Sequence, residues 1–455
     1  MFIRRAFALI WLCCSAAVAQ PAPRAQFMSL EQARPVLAAL PQSVPAKLKS
    51  SGTLQPAAWQ SWMQENDREI RARLERGEED TLVNLLRFGV TFTREYRIDD
   101  EYLVRYGQSS LVNSFAEKRA RDLVRALAAP HPSEGLLRMR VFLEKKGYPL
   151  KTTAQQTQAR KYLLSNLSRM GDEFLKYRSQ KKDDTRFQLF KDRGISLDTN
   201  LWPDFLLDEH FRRMASQSRV KPHGIRRVAV IGPGLDFANK EKGNDFYPPQ
   251  TIQPFSVIDS LMRCGLADPA GIDLFTLDIS QDVNFHVERA RDHAIAGKAY
   301  VAQLPWNTAA RHDPAYRSGF IQYWNRLGDQ IGESIPPIAV PAAAAETQTR
   351  AIRIRPEIVR RITPVDMNIV FQRLADDQAF DLIIGTNIFI YYGEFEQSLA
   401  RANVSAMLKP GGFLLTNDKL PDAVPSGLQA AEPTVLVVAR DPDVTEYLFS
   451  YQKTK

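Results

Sequence analysis

A chain of 455 residues is longer than one hydrophobic core usually organises, so two domains are expected. A composition of 44% hydrophobic and 25% charged residues excludes collagen, coiled coil and wholesale disorder. The net charge of +8 is a small excess over this length and gives no nucleic-acid footprint, so no nucleic-acid partner is expected.

In chain order, Arg4 and Arg5 precede an apolar run from Ala6 to Leu12, and Ala17-Val18-Ala19 offers a small-residue exit. This reads as a signal peptide over residues 1–19 and predicts export to a periplasmic or secreted location. An uncleaved membrane anchor is the alternative, although the run is shorter than the ~20 residues of a spanning helix, and no stable span is expected after cleavage. Cys13 and Cys14 would leave with the signal. The remaining Cys264 sits on an apolar helical stretch and reads as a small buried hydrophobe. The six histidines are scattered without ligand spacing, so no metal is assigned.

Residues 20–51, rich in Pro, Ala, Gln and Ser, read as a flexible segment. Residues 52–220 read as an α-helical domain. Trp59, Trp62, Met63, Ile70 and Leu74 recur at helical spacing, as do Leu111, Phe115, Ala120, Leu123, Val124 and Leu127. A further helix is predicted from Thr153 to Tyr177. Leu86–Arg97 and Arg193–Leu206 read as loops.

From Lys221 to Lys455 strands alternate with helices. Strands are predicted at Val228–Ile231, Asp273–Leu277, Val359–Thr363, Phe380–Gly385 and Gly412–Leu415, with helices at Ile252–Cys264, Val283–Ala296, Met367–Leu374 and Glu394–Leu408. Thr434–Ala439 and Glu446–Tyr451 close the chain as a hairpin. The fold class is therefore α/β: a doubly wound, Rossmann-like sheet with a terminal antiparallel hairpin, preceded by an α-helical domain. The stretch 304–353 reads as an insertion, either an aromatic lid or a helix with a surface loop.

An open parallel sheet binds ligands beyond the carboxyl ends of its strands. Gly232-Pro-Gly234 follows the first strand, where glycines let backbone approach a ligand closely. Asp278 ends the second, where a carboxylate can accept both hydroxyls of an adenosine ribose or simply cap a helix. Asp366 follows the third, poised for an adenine amino group or again a cap. Thr386-Asn387 follows the fourth, ahead of Tyr391 and Tyr392.

Phe380–Tyr392 (FDLIIGTNIFIYY), followed by a helix and Leu408–Asp418 (LKPGGFLLTND), resembles class I S-adenosylmethionine-dependent methyltransferases, in particular the chemotaxis receptor-glutamate methyltransferase family. The segment Arg353–Ile362 is similar to the approach to that family's third strand. The resemblance covers about Val228 to Tyr451. It implies S-adenosylmethionine as cofactor, with Gly232 and Gly234 along its methionine part, Asp278 on the ribose, Asp366 and Met367 at the adenine, Asn387 beneath it, and Tyr391 near the departing methyl group. Val230, Asp236 and Thr386 depart from the usual acidic residue, third glycine and arginine. A hydroxyl or amine acceptor would need a base, for which His286, Tyr391 and Tyr392 are candidates.

The function expected on this reading is methyl transfer to a small-molecule or protein acceptor. An exported, catalytically inactive binding protein of the same fold is the alternative. A nicotinamide-dependent oxidoreductase shares the glycine turn and strand-two acid, but explains neither the hairpin nor Pro410-Gly411-Gly412.

Overall fold

The computed structural model describes residues 24–49, 54–179, 194–199, 201–236, 245–308, 312–375, 379–422, 424, 426–440 and 443–454. The signal-peptide stretch lies outside the described residues. The chain enters on β1 (Ala25–Phe27), α1 (Leu30–Ala39) and α2 (Ala46–Lys49). Ser29 and Gln32 form a capping box that starts α1. The flexible segment expected over 20–51 is thus replaced, over 24–49, by docked structure. Met28, Leu30, Ala33 and Val36 are buried, an apolar stripe that the Pro- and Ala-rich composition conceals. Trp59 Nε1 donates to Met28 O at 2.9 Å and fixes the segment to the next helix.

That helix, α3 (Pro56–Phe88), is 33 residues long and serves two cores. Its first half, through Trp59, Trp62, Met63 and Ile70, packs on the α/β unit. Its second half, through Leu82, Val83, Leu85 and Leu86, enters a helical core with α4 (Asp100–Arg105), α5 (Ser110–Leu127), α6 (Glu134–Lys145) and α7 (Thr153–Ser179). Asp99, Ser109 and Ser133 cap the starts of α4, α5 and α6 by accepting from backbone N–H groups. The loop after α3 is held from below. Arg119 is buried, its guanidinium donating to Leu86 O, Gly89 O and Glu95 O.

The sequence places the end of the helical domain at residue 220, with Arg193–Leu206 as loop. The structure instead starts α8 (Trp202–Ser216) inside that stretch and packs its Phe205, Leu207 and Phe211 into the core of the α/β unit. The sheet follows: β2 (Arg227–Ile231), α9 (Gln253–Arg263), β3 (Asp273–Asp278) and α10 (Gln281–Ile295). The insertion comes next. It is β4 (Tyr300–Asn307), α11 (Pro314–Arg326), β5 (Gly332–Ile335) and β6 (Thr347–Ile354): the expected helix, joined by a three-stranded antiparallel sheet in the order β4-β6-β5 that was not expected. Tyr316, Phe320, Tyr323 and Trp324 of α11 are buried against α8 and β4, so these aromatics are core rather than an open lid.

Beyond it, α12 (Pro356–Val359) occupies the start of the predicted third strand, and β7 (Ile362–Asp366) begins three residues later than expected. The helix expected over Met367–Leu374 is a turn ending in β8 (Gln372–Leu374), which pairs antiparallel with β1, Gln26 opposite Arg373. Then come β9 (Phe380–Gly385), α13 (Glu394–Met407), β10 (Leu408–Thr416), β11 (Leu428–Arg440) and β12 (Asp443–Lys453).

Seven strands form one sheet in the order β11-β12-β10-β9-β2-β3-β7. The five from β10 to β7 are parallel, and the terminal hairpin joins antiparallel through β12. Strand periodicity sorts β2: Val228 and Val230 face the core built on α8, α9 and the insertion, whereas Ala229 and Ile231 face that built on α1, α3 and α13. The chain crosses from β2 to β3 and β7 on one side, then returns to β9 and β10 on the other. The reversal between β2 and β9 creates a crevice at their carboxyl ends. No helix among the described residues is long and apolar enough to cross a membrane.

Candidate functional site

Five of the seven residues that the resemblance places around the cofactor converge at that crevice. Gly232, Gly234, Asp278, Met367 and Tyr391 line one pocket, together with Ile388 and Tyr392. Gly232 and Gly234 have φ of 62° and 74°, a conformation that side chains disfavour. A methyl on Gly234 would also lie 2.6 Å from Leu197 O.

Asp278 ends β3, only 5% exposed, and its Oδ1 accepts from Ser280 N at 2.7 Å. Burial pushes its carboxyl up to about 7; Asp366 adds to this, while the Ser280 N–H and Arg71 oppose it. The cap on α10 itself is Ser280, which accepts from Val283 N, so the carboxylate is not the helix cap. Met367 N donates to Asp278 O at 3.1 Å, which ties the ends of β3 and β7 together. Tyr391 closes a 3-10 turn after β9, and its hydroxyl accepts from Ser196 N at 3.4 Å.

Two of the predicted residues stand apart. Asp366 is half exposed and is bridged to Arg71 at 2.7 Å. Asn387 does not line the pocket: its neighbour Ile388 does, packing over Gly232. The reason is backbone geometry. Asn387 sits at φ 59°, which turns it toward Asn417 at the end of β10, whose amide it meets twice, at 2.7 and 2.6 Å. His286, a candidate base, also lies elsewhere. It faces the groove between α6 and α10, bonded to Tyr300 Oη at 2.9 Å, and burial pushes its imidazole down to about 4. Asp236, where a third glycine was expected, is buried against Tyr247 Oη at 2.9 Å, and burial pushes its carboxyl up to about 7. Among the described residues no three His, Cys, Asp or Glu side chains meet as metal ligands.

The far wall of the pocket comes from outside the α/β unit and was not legible in the sequence. A strap, residues 194–199, runs between α3 and the glycine turn. Ile195 N donates to Arg73 O at 3.1 Å on one side, and Leu235 N donates to Leu197 O at 2.8 Å on the other. From α3, Leu74 lines the pocket, Arg71 also donates to Ile279 O at 2.9 Å, and Asp67 accepts from Asn368 Nδ2 at 2.8 Å. The enclosed free space is about 40 Å³, far below the several hundred Å³ typical of ligand pockets. The donor set fits a ribose-bearing cofactor; the space fits one only when strap and helix draw back.

The Arg71–Asp366 bridge is the outermost of these ties and is partly solvated, so it contributes about 1 kcal/mol or less. Arg71→Ala, which also removes the bonds to Ile279 O and Asp67, is expected to lower melting by a few degrees while speeding entry of S-adenosylhomocysteine in stopped-flow measurements. An entry rate equal to the parent's would show that α3 does not gate the pocket.

No protein-family profile and no curated protein matches the chain. Solved structures do. The N-methyltransferase NodS from Bradyrhizobium japonicum WM9 matches at 11% identity over 55% of this chain and 95% of that one, TM-score 0.27. The magnesium protoporphyrin IX methyltransferase ChlM from Synechocystis PCC 6803, with bound S-adenosylmethionine, matches at 9% identity over 62% and 95%, TM-score 0.28. The CurJ carbon methyltransferase matches at 12% identity over 92% and 99%, TM-score 0.28. Likenesses this remote define no family for the chain.

Proposed function

We propose that the strand-end pocket binds S-adenosylmethionine and that the chain is a class I methyltransferase, arranged like the chemotaxis receptor-glutamate methyltransferases. The observation that carries this reading is the convergence of Gly232, Gly234, Asp278, Met367 and Tyr391 on one crevice at the reversal of strand order. The bound sulfonium supplies a methyl group that is already activated. What remains for the chain is to hold, orient and exclude water.

Each residue has a part in that. The glycine turn offers backbone without side chains in the way. Asp278, with a lone pair beyond its bond to Ser280, accepts ribose hydroxyls. Met367, Ile369 and Leu74 give an apolar slot for a flat base. Tyr391 and Ile388 close the end toward β9. Calorimetry on the full chain should give micromolar binding of both S-adenosylmethionine and S-adenosylhomocysteine. Folded protein that gives no binding heat with either would sink the reading.

A further inference from the structure

A second cavity, of about 230 Å³, opens on the other side of the same turn. Asn387 lines it while the next residue, Ile388, lines the first pocket. Two spaces are thus separated by the thickness of one loop at the end of β9. The second lies among α8, α11, the terminal hairpin and the ends of β9 and β10. The proposed cofactor reading makes no use of it.

Its walls are of two kinds. One is aromatic: Trp202 stands 5.4 Å from Tyr316 and 4.7 Å from His312 between ring centroids, and is backed by Phe320 at 3.9 Å. This backing fixes the rings as a preformed face. The other is made of amides. Asn387 Oδ1 and backbone N are taken up by Asn417, leaving the Asn387 Nδ2 hydrogens for a ligand. Asn387 sits at φ 59°, a left-handed conformation that asparagine tolerates well, and this aims its side chain at this cavity.

The chemistry of the lining restricts the occupant. Burial, with Arg317 adding to it, lowers the His312 imidazole below its ordinary range, so it is neutral near pH 7. No lysine or arginine among the described residues lines the cavity. Glu446 at the rim is engaged with another group of the protein. Among the described residues the lining itself supplies an anion with no cationic side chain, and its one carboxylate, Glu446, is already engaged. A flat face stacked on Trp202 with hydroxyl groups toward Asn387, Asn417 and His312 fits both walls.

We infer that this cavity is a binding site for a small uncharged ring bearing hydroxyl groups, held between the Trp202–Tyr316 face and the Asn387–Asn417 amides. Such a ring is either a pyranose or a phenol, and the two present the same combination of flat face and hydroxyl edge. Binding there does not depend on a methyl donor in the neighbouring pocket.

The test is saturation-transfer NMR on the full chain, with methyl β-glucopyranoside in one arm, catechol in the second and benzylamine as a cationic control. One of the first two arms binds. Asn387→Gly, which suits the positive φ, and Asn417→Ala each weaken it by about tenfold, the loss of one or two hydrogen bonds, with melting temperature kept within a few degrees. Binding by neither hydroxyl ring, survival of binding in both variants, or preference for benzylamine overturns the inference. Calorimetry with S-adenosylhomocysteine on Asn387→Gly separates the two sites. Unchanged heat supports two sites, and loss of both ligands assigns Asn387 to the cofactor pocket and overturns this proposal. Ring binding in a chain that never binds S-adenosylhomocysteine overturns only the methyltransferase reading.

Discussion

Asp278→Asn should lower affinity for S-adenosylhomocysteine by about a hundredfold, since two hydrogen bonds to a buried carboxylate are worth roughly 1.5–3 kcal/mol each. The fold should survive, because the substituted amide keeps an oxygen for the 2.7 Å bond from Ser280 N. The same carboxyl predicts a pH dependence. Buried and pushed up to about 7, it is the ionised form that accepts both ribose hydroxyls, so affinity should rise from pH 6 to 8 and level off above. Stability should run the other way. A carboxyl whose folded pKa stands above its unfolded value of about 4 favours folding below pH 4 and loses that contribution as pH rises toward 7. Asp204 and Asp236, also pushed up to about 7 by burial, add in the same direction. Melting curves from pH 4 to 8, with calorimetry across the same range, check both. An affinity independent of pH in the parent and in Asp278→Asn would remove Asp278 from the site.

The second large effect is expected at Gly77. Glycine inside a helix usually costs about 1 kcal/mol relative to alanine, so Gly77→Ala ought to stabilise α3. Here packing outweighs propensity. A Cβ at Gly77 would lie 1.9 Å from Ile195 O, and one at Gly194 would lie 2.1 Å from Gly77 N. Two facing glycines are what allow the strap to lie on α3. Gly77→Ala should push the strap away, lowering stability by about 1–3 kcal/mol, as overpacking does. It should also speed amide exchange at Ile195 and Leu235, whose N–H groups hold the strap to both neighbours. If the pocket binds only when the strap is off, apparent affinity is the intrinsic one scaled by the open fraction. The variant should then bind S-adenosylhomocysteine more tightly despite being less stable. Unchanged melting and unchanged exchange would show that the strap accommodates the methyl group.

The central sheet was legible because its strands are short runs of branched apolar residues punctuated by glycine and acid. Val228–Ile231 and Phe380–Gly385 need no partner to be recognised. The positions of Gly232, Gly234 and Asp278 in the crevice were legible for the same reason, since strand ends fix where they fall, whereas Met367 was reached only through the resemblance. What escaped was set by distant contacts. β8 is three residues whose only strand signal is pairing with β1, more than 300 residues away in sequence. The strap has no periodicity of its own, and Leu74, Arg71 and Asp67 read as an ordinary helix face. Asn387 was placed by its neighbours in the chain, but a single positive φ sends its side chain to the other side of the turn. Propensity does not report such a reversal.

The pairing of β1 with β8 has a consequence for how the chain is divided. Ala25–Phe27 and α1 belong to the same core as α13, so the α/β unit begins near the start of the chain, is interrupted by the helices from α4 to α7, and resumes at α8. The helical region, which has a core of its own, is thus flanked on both sides in sequence by parts of the α/β core. A cut between α5 and α6 would leave two fragments that stay together through β1, α1 and α3. The closing of that long loop, not the formation of any single helix, sets the entropy that assembly must overcome.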